Sequence, residues 1–187
     1  MRSGSRVSMN GSQSNSARLQ DVGLILSAAV TLTLGLGSRL AAQTSADTMS
    51  REMLAAHNQV RAGVRVPPLT WSPELAALAQ QWANELLASG KFAHRPKHQY
   101  GENLFEIRGG RSSPTEVVAS WAAEARDYDL ARNTCRARAQ CGHYTQIVWR
   151  NAKEVGCAAA RLPGRQVWVC NYDPPGNWVG ERPYRVH

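Results

Sequence analysis

Two periods of hydrophobic and polar residues divide this chain. Over residues 47–62 and just beyond, Met49, Met53, Leu54, Val60 and Val64 approximate the spacing of one helix face, with Asp47 placed as an N-cap. Val66-Pro67-Pro68-Leu69 ends that helix. Ser72-Pro73-Glu74 opens a second, an N-cap followed by proline at the first helical position. Its face is Leu75, Leu78, Ala79, Trp82 and Leu86, and Gly90 stops it. Residues 91–112 show no regular element. Ser113 and Glu116 have capping-box spacing at the head of a third helix, whose stripe is Val117, Val118, Trp121, Ala122 and Ala125. Beyond about residue 150 the pattern is extended. Val155–Leu162 and Gln166–Tyr172 read as two strands around Pro163-Gly164. Helices first and a hairpin later predict one α+β domain.

The first 42 residues belong to a different class. A polar, arginine-bearing lead precedes the apolar stretch Val22–Gly37, and small residues follow at Ala41 and Ala42. That order describes a cleavable secretory signal over residues 1–42, with cleavage near Ala42 and a short linker at 43–49. The alternative is an uncleaved anchor, which would place the protein in the cell envelope. An anchor needs about 17–25 apolar residues, and this stretch is short and diluted by Gly, Thr and Ser. Secretion to the extracellular space, with no membrane span after cleavage, is therefore the expectation.

Export changes the meaning of Cys135, Cys141, Cys157 and Cys170. An even count in an oxidising compartment favours disulfides, of which three connectivities are possible. A zinc site is the rival, but the spacings are not those of a zinc finger. A hairpin centred between residues 163 and 164 leaves Cys157 and Cys170 equidistant from its turn, hence opposite each other at about 4.5 Å between Cα atoms if the pair is not hydrogen-bonded. Proline cannot take the positive φ of a type I′ turn, so a four-residue loop, 162–165, is expected. Cys135 is then left for Cys141.

Composition excludes some functions. Hydrophobic residues make up 43% and charged residues 19%, too apolar for a disordered polar chain. The net charge of +8 falls to +5 beyond residue 42, where 18 Lys and Arg face 13 Asp and Glu. These charges are scattered rather than gathered into a stripe, which argues against nucleic acid as a partner. Arg95 and Lys97 flank His94, and Arg136 and Arg138 lie close to His143, so a basic rim near these histidines is a further expectation.

The candidate chemistry sits where regular structure is least evident: His94, Glu102, Glu124 on the third helix, and His143 just after Cys141-Gly142. Gly142-His143-Tyr144-Thr145-Gln146-Ile147-Val148-Trp149 resembles the signature octapeptide of the CAP superfamily (cysteine-rich secretory proteins, antigen 5, pathogenesis-related 1). Trp168–Trp178 resembles its second signature, and Gly101-Glu102-Asn103-Leu104 and His57-Asn58-Gln59-Val60-Arg61 match two shorter motifs. The resemblance covers residues 50–184, leaving 185–187 as a tail, and is closest to the pathogenesis-related 1 branch.

The resemblance implies a single-domain α-β-α sandwich with a central cleft carrying His94, Glu102, Glu124 and His143. Plant members usually have six cysteines. Here Lys91-Phe92 and Ala160-Arg161 occupy the positions of one bridge, so both of its halves are missing together. His57, Asn58 and Arg61 are read as a structural motif, since His57 and Arg61 share a helix face one turn apart.

Two function classes follow. One is a secreted, monomeric binding protein taking a small hydrophobic ligand such as a lipid or sterol, with a weak, exchangeable Zn2+ in the His/Glu cleft and no organic cofactor. The other is a metal-dependent extracellular hydrolase resembling a protease, with one Glu as base. No Ser-His-Asp order or free cysteine supports nucleophilic catalysis, and no catalytic residue is assigned.

Overall fold

The computed structural model describes residues 46–97 and 99–185. The expected signal, its cleavage point near Ala42 and residues 43–45 of the linker lie outside the described residues, as does the end of the C-terminal tail. Helix α1 covers 46–63. Asp47 is therefore inside it rather than capping it, and residues 46–49, which the sequence reading left to the linker, are helical. After β1 (Thr70–Trp71) come α2 (Pro73–Ser89), β2 (Gly101–Arg108) and α3 (Pro114–Ala122), followed by a 3-10 turn over Ala123–Asp127. A small hairpin of β3 (Tyr128–Asp129) and β4 (Thr134–Cys135) leads to α4 (Gly142–Ile147), and β5 (Glu154–Leu162) and β6 (Arg165–Asp173) close the sheet. Among the described residues no helix is long and apolar enough to cross a membrane.

The boundaries read from local chemistry for α2 and for the start of α3 hold. Ser72 accepts the Leu75 N–H at the head of α2, and Gly90 ends it at φ 69°. Ser113 and Glu116 form the full capping box of α3. Glu124 lies in the 3-10 turn beyond α3, not on the helix itself.

The four-stranded sheet has the order β1-β5-β6-β2, with β1 parallel to β5 and the other pairs antiparallel. Period-two alternation sends Val155, Cys157, Trp168, Cys170 and Tyr172 to one face, where α1, α3 and α4 supply Met53, Val117, Trp121 and Ile147. Ala158, Ala160, Val167, Val169 and Leu104 turn to the other face, against Ala79, Trp82, Ala83, Leu86 and Leu87 of α2. Helices cover both faces of one sheet, the α-β-α sandwich.

Two expectations need correction. The segment 91–112 contains β2, an eight-residue strand paired along its whole length with β6. Its first four residues, Gly101–Leu104, are all buried although two of them are polar, so no alternation was visible. The hairpin loop has two residues, not four, because Leu162 pairs with Arg165. Pro163 precedes Gly164 at φ 76°, the residue pair suited to a type II turn, which avoids a positive φ at proline. The register is unaffected. Cys157 stands opposite Cys170, 4.1 Å away between Cα atoms and bridged to it, and Cys135 is bridged to Cys141.

Candidate functional site

His94 leaves the loop after α2 and places Nδ1 2.6 Å from Glu102 Oε1 of β2; the same oxygen accepts the Arg95 N–H at 3.1 Å. The Glu102 side chain is 0% exposed and that of His94 60%. The hydrogen bond to Glu102 raises the His94 pKa above its ordinary value, and partial desolvation works against it. The second oxygen, Glu102 Oε2, is buried and has no hydrogen-bond partner.

The other pair is built between the 3-10 turn that follows α3 and the first turn of α4. His143 Nδ1 lies 2.6 Å from Glu124 Oε1, while Glu124 Oε2 accepts the backbone N–H groups of His143 (2.9 Å) and Tyr144 (3.1 Å). Those N–H groups belong to the first turn of α4, whose N-cap residue Cys141 offers no side-chain cap. The carboxylate of Glu124 fills that role from another element, where it also meets the positive end of the helix. Burial works to raise the Glu124 pKa, but His143 and these N–H donors hold it below the usual carboxylate range. The Cys135–Cys141 bridge anchors the residue just before α4, and the Trp121 ring stacks on His143 with centroids 6.0 Å apart.

Asn103, next to Glu102 on β2, joins the two halves. Its Nδ2 donates to the His143 carbonyl at 3.1 Å and to the Tyr172 hydroxyl at 3.1 Å. Sequence reasoning passed over Asn103 and Trp121 as individual site residues; the adjacency of Asn103 to Glu102 was the available signal. Among the described residues, Nε2 of His94 and Nε2 of His143 make no hydrogen bond.

His57, Asn58 and Arg61 lie behind the site. The Met53 carbonyl can only accept, so His57 Nδ1 carries the proton toward it (2.7 Å) and Nε2 accepts from the Tyr172 hydroxyl (2.8 Å). Burial drives this imidazole down to about 4 against the opposing Met53 hydrogen bond, with the nearby Arg61 charge lowering it further. The ring is a neutral connector between α1 and β6. Asn58 exchanges two hydrogen bonds with the backbone of Leu69. Arg61 donates to the carbonyls of Pro67, Ile147, Trp149 and Ala152 at 2.7–3.1 Å.

The basic rim expected from the sequence is divided. Arg136 pairs with Asp127 at 2.7 Å and Arg132 with Asp129 at 2.6 Å, whereas Arg95 and Lys97 line a cavity beside β6.

A two-layered helical cover over a mixed sheet, with imidazole–carboxylate pairs where β2 meets α4, defines a class, and comparison with known proteins supplies its family. The chain belongs to the CAP family, described as the cysteine-rich secretory protein family, whose model matches residues 54–172. It is 46% identical to pathogenesis-related protein 1A of Nicotiana tabacum over 140 residues, covering 74% of this chain and 83% of that protein. Pathogenesis-related protein 1 of Arabidopsis thaliana is 41% identical, with 74% and 84% covered. Among solved structures, venom allergen-like protein 4 of Schistosoma mansoni matches with a TM-score of 0.61 and 25% identity, covering 74% of this chain and 94% of that one. The crystal structure of NaASP2 with Zn2+ matches at a TM-score of 0.60 and 20% identity, covering 73% and 84%, a likeness of fold.

Proposed function

We propose that this is an extracellular ligand-binding protein whose imidazole–carboxylate pairs hold an exchangeable divalent metal. One observation carries the reading. Each histidine spends Nδ1 on a carboxylate, at 2.6 Å in both pairs, and leaves Nε2 open. A carboxylate on the second nitrogen is the usual way of orienting a metal-binding imidazole and raising its basicity.

The donors suit zinc, for which neutral imidazole is a good ligand. Glu102 Oε2, buried and unpartnered, is a group that a nearby cation would satisfy. His94 and His143 would hold the ion, and Glu102 and Glu124 would orient them; the ion would supply positive charge for an anionic or carbonyl group of a ligand. Among the described residues, the three potential donor atoms that do lie within 4.8 Å of one another belong to His57, Cys157 and Cys170. Their sulfurs are joined in a disulfide and both His57 nitrogens are engaged, so this trio is a poor alternative.

A hydrolase would need a carboxylate free and accessible to act as a base; Glu124 has both oxygens engaged, and Glu102, whose second oxygen is unpartnered, has a side chain that is 0% exposed. Binding is the better-supported role. Lipids and sterols are the ligand class we favour, because a groove of about 670 Å3 sets Pro67, Pro68, Ala152 and Pro174 beside the polar Thr70, Arg150, Asn151 and Lys153, an amphipathic lining. The two disulfides suit an oxidising, extracellular setting.

Calorimetric titration with Zn2+ at pH 7.5 tests the metal. The wild type should bind it, and binding should fade as pH falls through the imidazole range, since imidazolium has no lone pair to donate. The His94→Ala, His143→Ala double variant should lose binding while keeping its circular dichroism spectrum. Equal binding by both proteins overturns the assignment. The hydrophobic ligand is tested separately on delipidated protein, which should bind cholesterol or palmitate saturably. A flat response to both, in an assay where a lipid-binding control responds, removes that part of the reading.

A further inference from the structure

A second cavity, of about 430 Å3, opens beside the first imidazole–carboxylate pair, lined by Leu78, Arg95, Lys97, Gln99, Tyr100 and Asn171. Two cations face it and, among the described residues, neither Arg95 nor Lys97 pairs with a carboxylate. Glu102 takes the backbone N–H of Arg95, and its charge is directed at His94.

Arg95 is held ready rather than left mobile. One guanidinium nitrogen donates to the Leu78 carbonyl at 2.6 Å, and the group lies 5.3 Å from the centre of the Trp82 ring. Among the described residues, the remaining N–H groups of its fork make no hydrogen bond. Lys97 has φ 54°, a left-handed conformation that a lysine adopts only when its surroundings require it. Asn171, 4% exposed, forms the floor, fixed through Nδ2 to the Leu75 carbonyl. Gln99 donates to the Tyr100 hydroxyl on the rim.

We propose that this cavity binds a phosphate monoester. Two unpaired cations match a dianion, and a phosphate monoester carries close to two negative charges at pH 7. A carboxylate or a sulfate monoester would neutralise only one of them. Arginine suits the oxygens of a tetrahedral anion through its planar fork, and lysine adds a point charge. The volume exceeds what a bare tetrahedral ion fills, and Leu78 gives the remainder of a small organic phosphate an apolar wall. The site stands independently of the zinc reading, because none of the atoms proposed to hold the metal takes part in it.

The test is calorimetry in buffer containing EDTA, so that no metal bridges protein and phosphate, with glucose 6-phosphate, inorganic phosphate, glucose 6-sulfate and glucose as probes. Glucose 6-phosphate should bind saturably, and Lys97→Ala should weaken it about tenfold, the usual scale for a hydrogen bond to a charged group. Arg95→Gln should weaken it further. Because Arg95 also ties down Leu78 and Trp82, the exposed Lys97 variant carries the decision if Arg95→Gln unfolds. Sugar phosphate binding more tightly than inorganic phosphate supports the ester; inorganic phosphate binding as tightly overturns it and leaves a site for the free ion. Glucose binding equally well, sulfate ester binding as tightly as phosphate ester, no binding by the wild type at 10 mM probe, or unchanged affinity in Lys97→Ala each overturns it. Zinc binding by Lys97→Ala, measured without EDTA, should equal that of the wild type.

Discussion

Arg61→Met should cost about 4 kcal/mol or more in urea or thermal unfolding, enough to leave much of the protein unfolded at 37 °C. Methionine matches the unbranched stem of arginine, so the packing of that stem is largely kept. What disappears is the donor set that serves the carbonyls of Pro67, Ile147, Trp149 and Ala152. Arg61 is 0% exposed, and water cannot replace it without opening the core. Each buried carbonyl left without a donor costs about 1–3 kcal/mol, with less than full additivity because the backbone relaxes. Arg61→Lys keeps the charge but not the fork, and should fall between the two. A loss under about 1 kcal/mol in Arg61→Met would show that the network contributes little.

Gly156→Ala should be nearly as damaging, at about 3 kcal/mol. Gly156 is where the first turn of α2 rests on β5. A Cβ there would stand 2.5 Å from the Ser72 carbonyl oxygen and 2.6 Å from the Leu75 carbonyl carbon, and closer still to the Ala76 nitrogen. All three are backbone atoms, so no side chain can turn aside; α2 must lift from the sheet. The unfolding midpoint should fall by roughly 10 °C, on the usual 2–4 °C per kcal/mol for a chain of this size. Gly63→Ala is the control, since a Cβ there meets nothing within 4 Å. Equal midpoints for Gly156→Ala and wild type would mean that the helix rests on the sheet less closely than described.

These two positions also show what a sequence displays and what it conceals. The caps of α2 and α3 were readable because donor and acceptor lie within three residues of each other, at Ser72 to Leu75 and Ser113 to Glu116. The Cys157–Cys170 pairing was readable because a hairpin makes register a matter of counting. The length of its loop was less legible, because Pro-Gly excludes a type I′ turn yet suits a type II turn of the same two residues. Strand β2 was hidden because Glu102 and Asn103 are buried for their partners, His94 and His143, so polarity ceased to report exposure there. Helix α4 has six residues, and its cap comes from Glu124 on a different element, so no local pattern announces it. The four cleft residues were placed through family likeness. Their division into two pairs, separated by 8 and 19 positions in the chain, required the fold. The contacts of Arg61, 86 to 91 positions away, were beyond any reading of local spacing.

That distance has a consequence for how the molecule is made. A chain emerges from its N-terminus onward, so α1 exists well before Ile147, Trp149 and Ala152 do. At about 5–20 residues per second, the interval between Arg61 and its last carbonyl partner is roughly 5–20 s. Throughout it, the face of α1 bearing Met53 and Ala56 has no sheet to cover it, and the cation has no acceptors from the 147–152 segment. Tyr172, the partner of His57, arrives later still. The nascent protein thus carries α1 as an unfinished surface, exposed to whatever handles it until β6 has been synthesised.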